Sequence, residues 1–266
     1  MKQLKLMVLT LTLLMGTMFT SCMDSGESGP QQWAGVVKVN DRMGNVTFTD
    51  AAGTELIPTN TIPVTLNARM AYIYCQVDEG QDLSTNPKSI KITLLADPTG
   101  IDATAITTPK VESSDVTTNA PVGSLSFASG YSTVAPFQFS ENTIVLPVLY
   151  RVKNVTTTED IKNELAKHTF TLVCYTDDIK SGDTILKLYL RYKVEDEPAA
   201  IAERATRTSS FKAYEISQIL REYTLKSGQT KPAKITIVAQ QNEYNNKLED
   251  TSTIEKVYEI EYKTAE

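Results

Sequence analysis

The stretch at residues 184–194 restricts the fold more than any other. Leu186, Leu188, Leu190, Tyr192 and Val194 fall on one side of it, and Lys187, Tyr189, Arg191 and Lys193 on the other. A period of two sends successive side chains to opposite faces, the signature of a strand with one face buried. The same alternation recurs. Residues 69–77 set Ala71, Ile73, Cys75 and Val77 against Met70, Tyr72, Tyr74 and Gln76, and residues 89–94 set Ile90, Ile92 and Leu94 inward. Phe170, Leu172 and Cys174 share a face, as do Ile254, Tyr258, Ile260 and Tyr262. Turn-forming groups separate the runs, among them Ala51-Ala52-Gly53 and Ser181-Gly182-Asp183. Helical spacing is confined to residues 158–167 and 214–223, where Ile216, Ile219, Leu220 and Tyr223 recur.

The reading is all-β. Short strands in the first part fit a small closed barrel of OB type over residues 33–108. Longer strands over residues 109–266 fit a β-sandwich with one or two short helices. Residues 97–110, dense in Pro, Thr and Asp, mark the crossing between them.

Ahead of these domains the chain reads as an address. Met1-Lys2-Gln3-Leu4-Lys5 carries two lysines and no acid, and an uncharged, Leu- and Met-rich run follows to Phe19. That run suits a signal peptide and is shorter than the roughly 20 residues needed to span a bilayer. Phe19-Thr20-Ser21-Cys22 then has lipobox order: an apolar residue, a spacer, a small residue and a cysteine. Residues 1–21 are expected to be removed, leaving a lipidated Cys22 as the first mature residue and residues 22–32 as a tether. Two or more acyl chains hold a protein to a membrane where one is marginal. The partner expected through Cys22 is therefore a membrane, in the cell envelope and most simply the outer membrane. Asp24 and Glu27 resemble the early acids of surface-exported Bacteroidetes lipoproteins; an ordinary solvated linker has the same composition.

The full chain carries 26 Lys+Arg against 32 Asp+Glu, and loss of the leader removes two of the lysines. So acidic a chain repels phosphate backbones, and nucleic acid is not an expected partner. Cys75 and Cys174 lie in apolar strand patterns assigned to different domains. An exported protein can form disulfides, but buried free thiols are the expectation here.

Chemistry-bearing patterns are sparse. His168 is the single histidine, which removes multi-histidine metal sites. It stands at a loop-to-strand junction without a nucleophile-elbow pattern, so a structural role is expected over a catalytic one. There is no Gly-rich phosphate loop. Asp177-Asp178 with Asp183, and Glu195-Asp196-Glu197, are acidic turns that could ligate Ca²⁺ but lack EF-hand spacing. Trp33 reads as a cap on the barrel, or as an exposed platform for a sugar. Asp183-Thr184-Ile185 fits a short acceptor pattern for Bacteroidetes O-glycosylation. No catalytic, cofactor or metal residue is assigned.

Several segments together resemble one family. Gly35-Val36-Val37-Lys38-Val39 and residues 69–77, behind Cys22, resemble the N-terminal OB-type domain of the NigD-like lipoproteins of the Bacteroidales. His168-Thr169-Phe170-Thr171-Leu172-Val173, Leu188-Tyr189-Leu190-Arg191-Tyr192, and Ser210-Phe211 leading into residues 216–220 resemble its C-terminal sandwich. Tyr192-Lys193 stands where many members are expected to carry His-Asn. The family's link to a bacteriocin gene cluster implies a protective role such as immunity, and no catalytic residues come with it. The expected function is a non-enzymatic, anchored binding or protective protein with a protein or glycan ligand. A surface glycan-binding accessory protein is the alternative, and a hydrolase a third class.

Overall fold

The computed structural model describes residues 31–264 apart from positions 43–44, 61–65, 82, 84–86 and 130–131. The leader, Cys22 and all of the tether before Gln31 lie outside the described residues. The chain divides into two compact units: the described residues up to Ala103 with Ala128–Val134, and Thr104–Phe127 with Ala135–Glu266.

The first unit is built on β1 (Gln32–Arg42), β2 (Asn45–Thr49), β3 (Glu55–Pro58), β4 (Met70–Val77) and β5 (Ser89–Leu94), with β6 (Thr99–Ile101) added at β4. The order β1-β2-β3-β5-β4 closes because β1 also pairs with β4, Gln32 opposite Gln76 and Lys38 opposite Met70. Only the β3–β5 pair among the five is parallel. This is the closed five-stranded Greek-key barrel of the OB class. Val37, Phe48, Leu56, Ala71, Ile73, Cys75, Ile90 and Ile92 fill its interior, as the alternation requires. Asp50 sets the β2–β3 corner: its carboxylate accepts from the N–H groups of Ala52 (2.9 Å) and Thr54 (2.8 Å), while Gly53 takes φ 87°. Only Gly adopts that angle freely.

Trp33 is half-buried and packs on the barrel core, the capping role expected of it. Its ring lies directly over Gly35. A β-carbon at Gly35 would stand 2.6 Å from the Trp33 ring.

From β7 (Ala103–Ala105) the chain enters the second unit. A two-stranded ribbon, β8 (Phe127–Ser129) with β9 (Ser132–Val134), groups with the first unit apart from Phe127. The second unit then adds β10 (Phe137–Ser140), β11 (Thr143–Val152), α1 (Thr158–Ala166), β12 (His168–Val173), β13 (Ile185–Val194), α2 (Pro198–Ala202), β14 (Thr206–Glu215), α3 (Ser217–Ser227), β15 (Lys234–Gln241) and β16 (Ile254–Glu261). One sheet runs β10-β11-β14-β7 and the other β12-β13-β15-β16. Ile144, Leu146 and Val148 from the first meet Leu172, Leu188, Leu190 and Ile237 from the second in one core, so the unit is a two-sheet sandwich. Ile219 and Tyr223 of α3 join that core, and Gly228 at φ 75° ends the helix.

The helix expected over residues 214–223 starts later, at Ser217. Tyr214, which opens that span, belongs to β14, where it sits opposite Ile144 and donates its hydroxyl to the Phe170 carbonyl at 2.9 Å. Residues 206–213 have few apolar positions. They become strand because β11 offers ten consecutive partners, Thr143 to Val152.

Gly35→Ala should destabilise the barrel by about 1–3 kcal/mol, the usual range for overpacking. Urea unfolding checks this, and a Trp33→Leu background should relieve most of the loss, because the clash is with that ring.

Candidate functional site

His168 is drawn into the sandwich core. Thr157 caps α1 by accepting from the Asp160 N–H at 3.1 Å. The helix then sets Glu164 one turn before His168, which opens β12. The Glu164 carboxylate is almost fully buried and carries four contacts. Its Oε1 accepts from Arg204 Nε (2.7 Å), the Lys153 N–H (2.9 Å) and His168 Nε2 (3.3 Å), and its Oε2 accepts from Arg204 Nη2 (3.2 Å). Arg204 is 1% exposed. Its guanidinium also donates to Asp196 Oδ2 (3.1 Å) and to the Ala200 carbonyl (2.9 Å). Lys153 and Lys167 close the outer side of Asp196 at 3.0 and 3.2 Å.

These contacts fix the protonation pattern. Glu164 accepts at Nε2, so that nitrogen carries the imidazole proton and Nδ1 accepts from the Tyr192 hydroxyl at 2.7 Å. Burial holds the His168 pKa below its ordinary value of 6.5, outweighing the pull of Glu164, so the ring is neutral. Burial alone would raise the Glu164 carboxyl. The Lys153 N–H, the Arg204 hydrogen bonds and charge, and His168 together bring it below 4.5. Asp196 is held low by Lys153, Lys167 and Arg204. Tyr192 stacks on Phe170 with centroids 4.5 Å apart and planes at 3°. Every polar atom named in this cluster has a partner among the described residues. The arrangement ties helix to strand.

The acidic turns also resolve into local contacts. Asp196 is enclosed by three cations. Asp177 pairs with Lys226 at 2.9 Å, and Asp183 accepts from the Lys180 N–H at 2.7 Å. Among the described residues no group of three or more His, Cys, Asp or Glu side chains is placed to hold a metal ion. Cys75 and Cys174 are buried free thiols, each pushed up to about 12 by burial and by a nearby aspartate.

The outer face of β13 carries an open groove lined by aromatic and polar side chains. The groove, of about 520 Å³, is lined by Tyr175, Asp178, Asp183, Thr184, Lys187 and Tyr189 among others. Lys187 and Arg191, two residues before and after Tyr189, each stand 5.0 Å from its ring centre. They flank the ring along the strand. Arg191 also lies 5.6 Å from the Tyr175 ring and donates to its hydroxyl at 3.1 Å. Tyr175 meets Tyr189 edge-on at 5.2 Å. The Asp178 carboxylate and the exposed Thr184 leave polar groups open to the groove. Sequence periodicity placed Lys187, Tyr189 and Arg191 on this face, but not Tyr175, which arrives from the turn after β12. Glu164 and Arg204 were missed as well; the four-residue step from Glu164 to His168 was the one local signal available.

No family profile and no curated protein matches the chain. Among solved structures it is similar to a provisionally assigned lipoprotein of Bacteroides fragilis at 96% identity, over 89% of this chain and 100% of that one, with a TM-score of 0.82. A protein of unknown function from Bacteroides vulgatus superposes with a TM-score of 0.55 at 12% identity, over 88% of this chain and 92% of that one. Likeness at that identity reports the fold alone.

The sign of the pH dependence follows from the cluster. An unfolded chain protonates its histidine below its ordinary pKa near 6.5, while folded His168 resists, so stability falls as the pH drops from there toward the lowered folded value. Glu164 adds a second loss below 4.5. Urea midpoints should decline between pH 7 and pH 5, and His168→Gln should flatten that part of the curve. Arg204→Met strands the buried Glu164 carboxylate and should cost about 3 kcal/mol or more at pH 7 by the same measurement.

Proposed function

We propose, from the premise that the chain belongs with the Bacteroides fragilis lipoprotein it matches at 96% identity, that it is a lipid-anchored envelope protein with a non-catalytic binding or protective role. Cys22 is the attachment point and the outer membrane its location. The observation that carries the reading is the state of His168: its ring is neutral, buried and bonded at both nitrogens. The one histidine of the chain is used in construction. Both remaining thiols are protonated and enclosed. The resemblance to NigD-like lipoproteins supports bacteriocin immunity as the protective role.

Glycan binding is a second reading, favoured by the groove beside Tyr175 with its open carboxylate and hydroxyl groups. Lys187 and Arg191 both flank the Tyr189 ring, whereas Arg191 alone lies over that of Tyr175, so Tyr175 is the ring to test.

Cys22→Ala should move the protein from the membrane fraction to the soluble fraction and abolish metabolic labelling with a fatty acid. Retention in the membrane without the cysteine would sink the anchor. For the second reading, calorimetric titration with neutral oligosaccharides should give a heat that Tyr175→Ala removes; no heat with any of them rejects it.

A further inference from the structure

β16 is an edge of its sheet among the described residues. In an antiparallel ladder the main-chain groups of alternate residues point to opposite sides. The Tyr262 N–H donates to the Ala233 carbonyl, at the end of the register that pairs Ile260 with Ile235 and Tyr258 with Ile237. Ile260, Tyr258 and Lys256 therefore turn their main-chain groups toward β15. Glu255, Val257, Glu259 and Glu261 turn theirs outward, and no hydrogen bond from the described residues reaches those groups.

The next residue in the same phase shows what such groups accept. Lys263 donates its N–H to Gln138 Oε1 at 2.6 Å, and its carbonyl accepts from Gln138 Nε2 at 2.7 Å. A side-chain amide here does what a peptide bond of an adjoining strand would do. The remaining positions present the same pair of groups with no amide opposite them.

We infer that this edge receives an extended segment of a partner polypeptide with basic residues at alternate positions, paired through the outward main-chain groups of Glu255, Val257, Glu259 and Glu261. Strand addition draws affinity from main-chain hydrogen bonds and specificity from alternate side chains. The charge of the face selects the partner. Glu255 is exposed, and the Glu259 and Glu261 side chains are 60% and 70% exposed, with only Lys234 between those two. A second copy of β16 would set glutamate beside glutamate, which is unfavourable across strands, whereas lysine or arginine opposite them is favourable. Val257, 51% exposed, and Ile254, 55% exposed, add apolar contact. The inference stands apart from the groove and the anchor, and its failure would leave both unaffected.

The test uses the full mature chain and an extended peptide alternating lysine and valine, followed by fluorescence anisotropy and amide hydrogen exchange. Saturable binding should appear, with new protection at residues 255–261. Proline is tolerated where an edge strand turns its N–H to solvent, so Val257→Pro should leave the fold intact by circular dichroism and weaken binding about tenfold. The same peptide N-methylated on alternate residues should bind about tenfold more weakly to the unaltered protein, which decides the matter even if the proline variant unfolds. Glu255→Lys with Glu259→Lys should weaken the lysine peptide and admit its glutamate counterpart. Absence of saturable binding overturns the inference. So does binding that survives N-methylation, because simple attraction between charges would then account for it.

Discussion

The second unit depends on the burial of one charge. Arg204 is enclosed by protein, and an isolated guanidinium there would be prohibitively unfavourable. Two carboxylates and a carbonyl offset that cost, and each fixes a different piece of chain. Glu164 belongs to α1, Asp196 follows β13, and Ala200 lies in α2. Glu164 in turn holds the main chain just past β11 through the Lys153 N–H and the start of β12 through His168. The ends of several elements are thus set by hydrogen-bond geometry around a few atoms. Apolar contact alone would permit sliding; this cluster does not.

Much of this fold was legible in the sequence because strands with one wet face write a period of two. β5 and β13 follow that rule residue by residue, while Met70 in β4 and Val173 in β12 are buried out of phase and Ile254 in β16, read as inward, is exposed. What the pattern does not write is partnership. The barrel closes through β1 and β4, which lie far apart in the chain, and no local signal names that pairing. β14 shows the same limit from the other side. Its first half reads Thr-Arg-Thr-Ser-Ser, a loop-like composition, and it becomes strand because a ready-made neighbour satisfies its main chain. Tyr214 opened the span read as helix, but a core position and the Phe170 carbonyl keep it in the strand.

The candidate sites divide along the same line. His168 stood out in the sequence by rarity, and the structure gives it a structural place. Arg204, which dominates the electrostatics, was invisible because the carboxylate it holds through two nitrogens, Glu164, lies 40 residues away. The groove at Tyr175 is assembled from the turn after β12 and the outer face of β13, so half of it was readable and half was not. For an anchored envelope protein this is a coherent design. The ionisable interior groups are committed to construction, and polar variety is concentrated on the outer sheet face.

The parallel contact between β13 and β15 carries a kinetic consequence. Ile185 lies opposite Lys234 and Leu190 opposite Ala239. The intervening chain must leave to form α2, β14 in the opposite sheet and α3 before it returns. Such non-local pairing is slow, since the entropy of closing a long loop is lost before its contacts form. The topology that stabilises the finished sandwich is therefore also what slows its assembly.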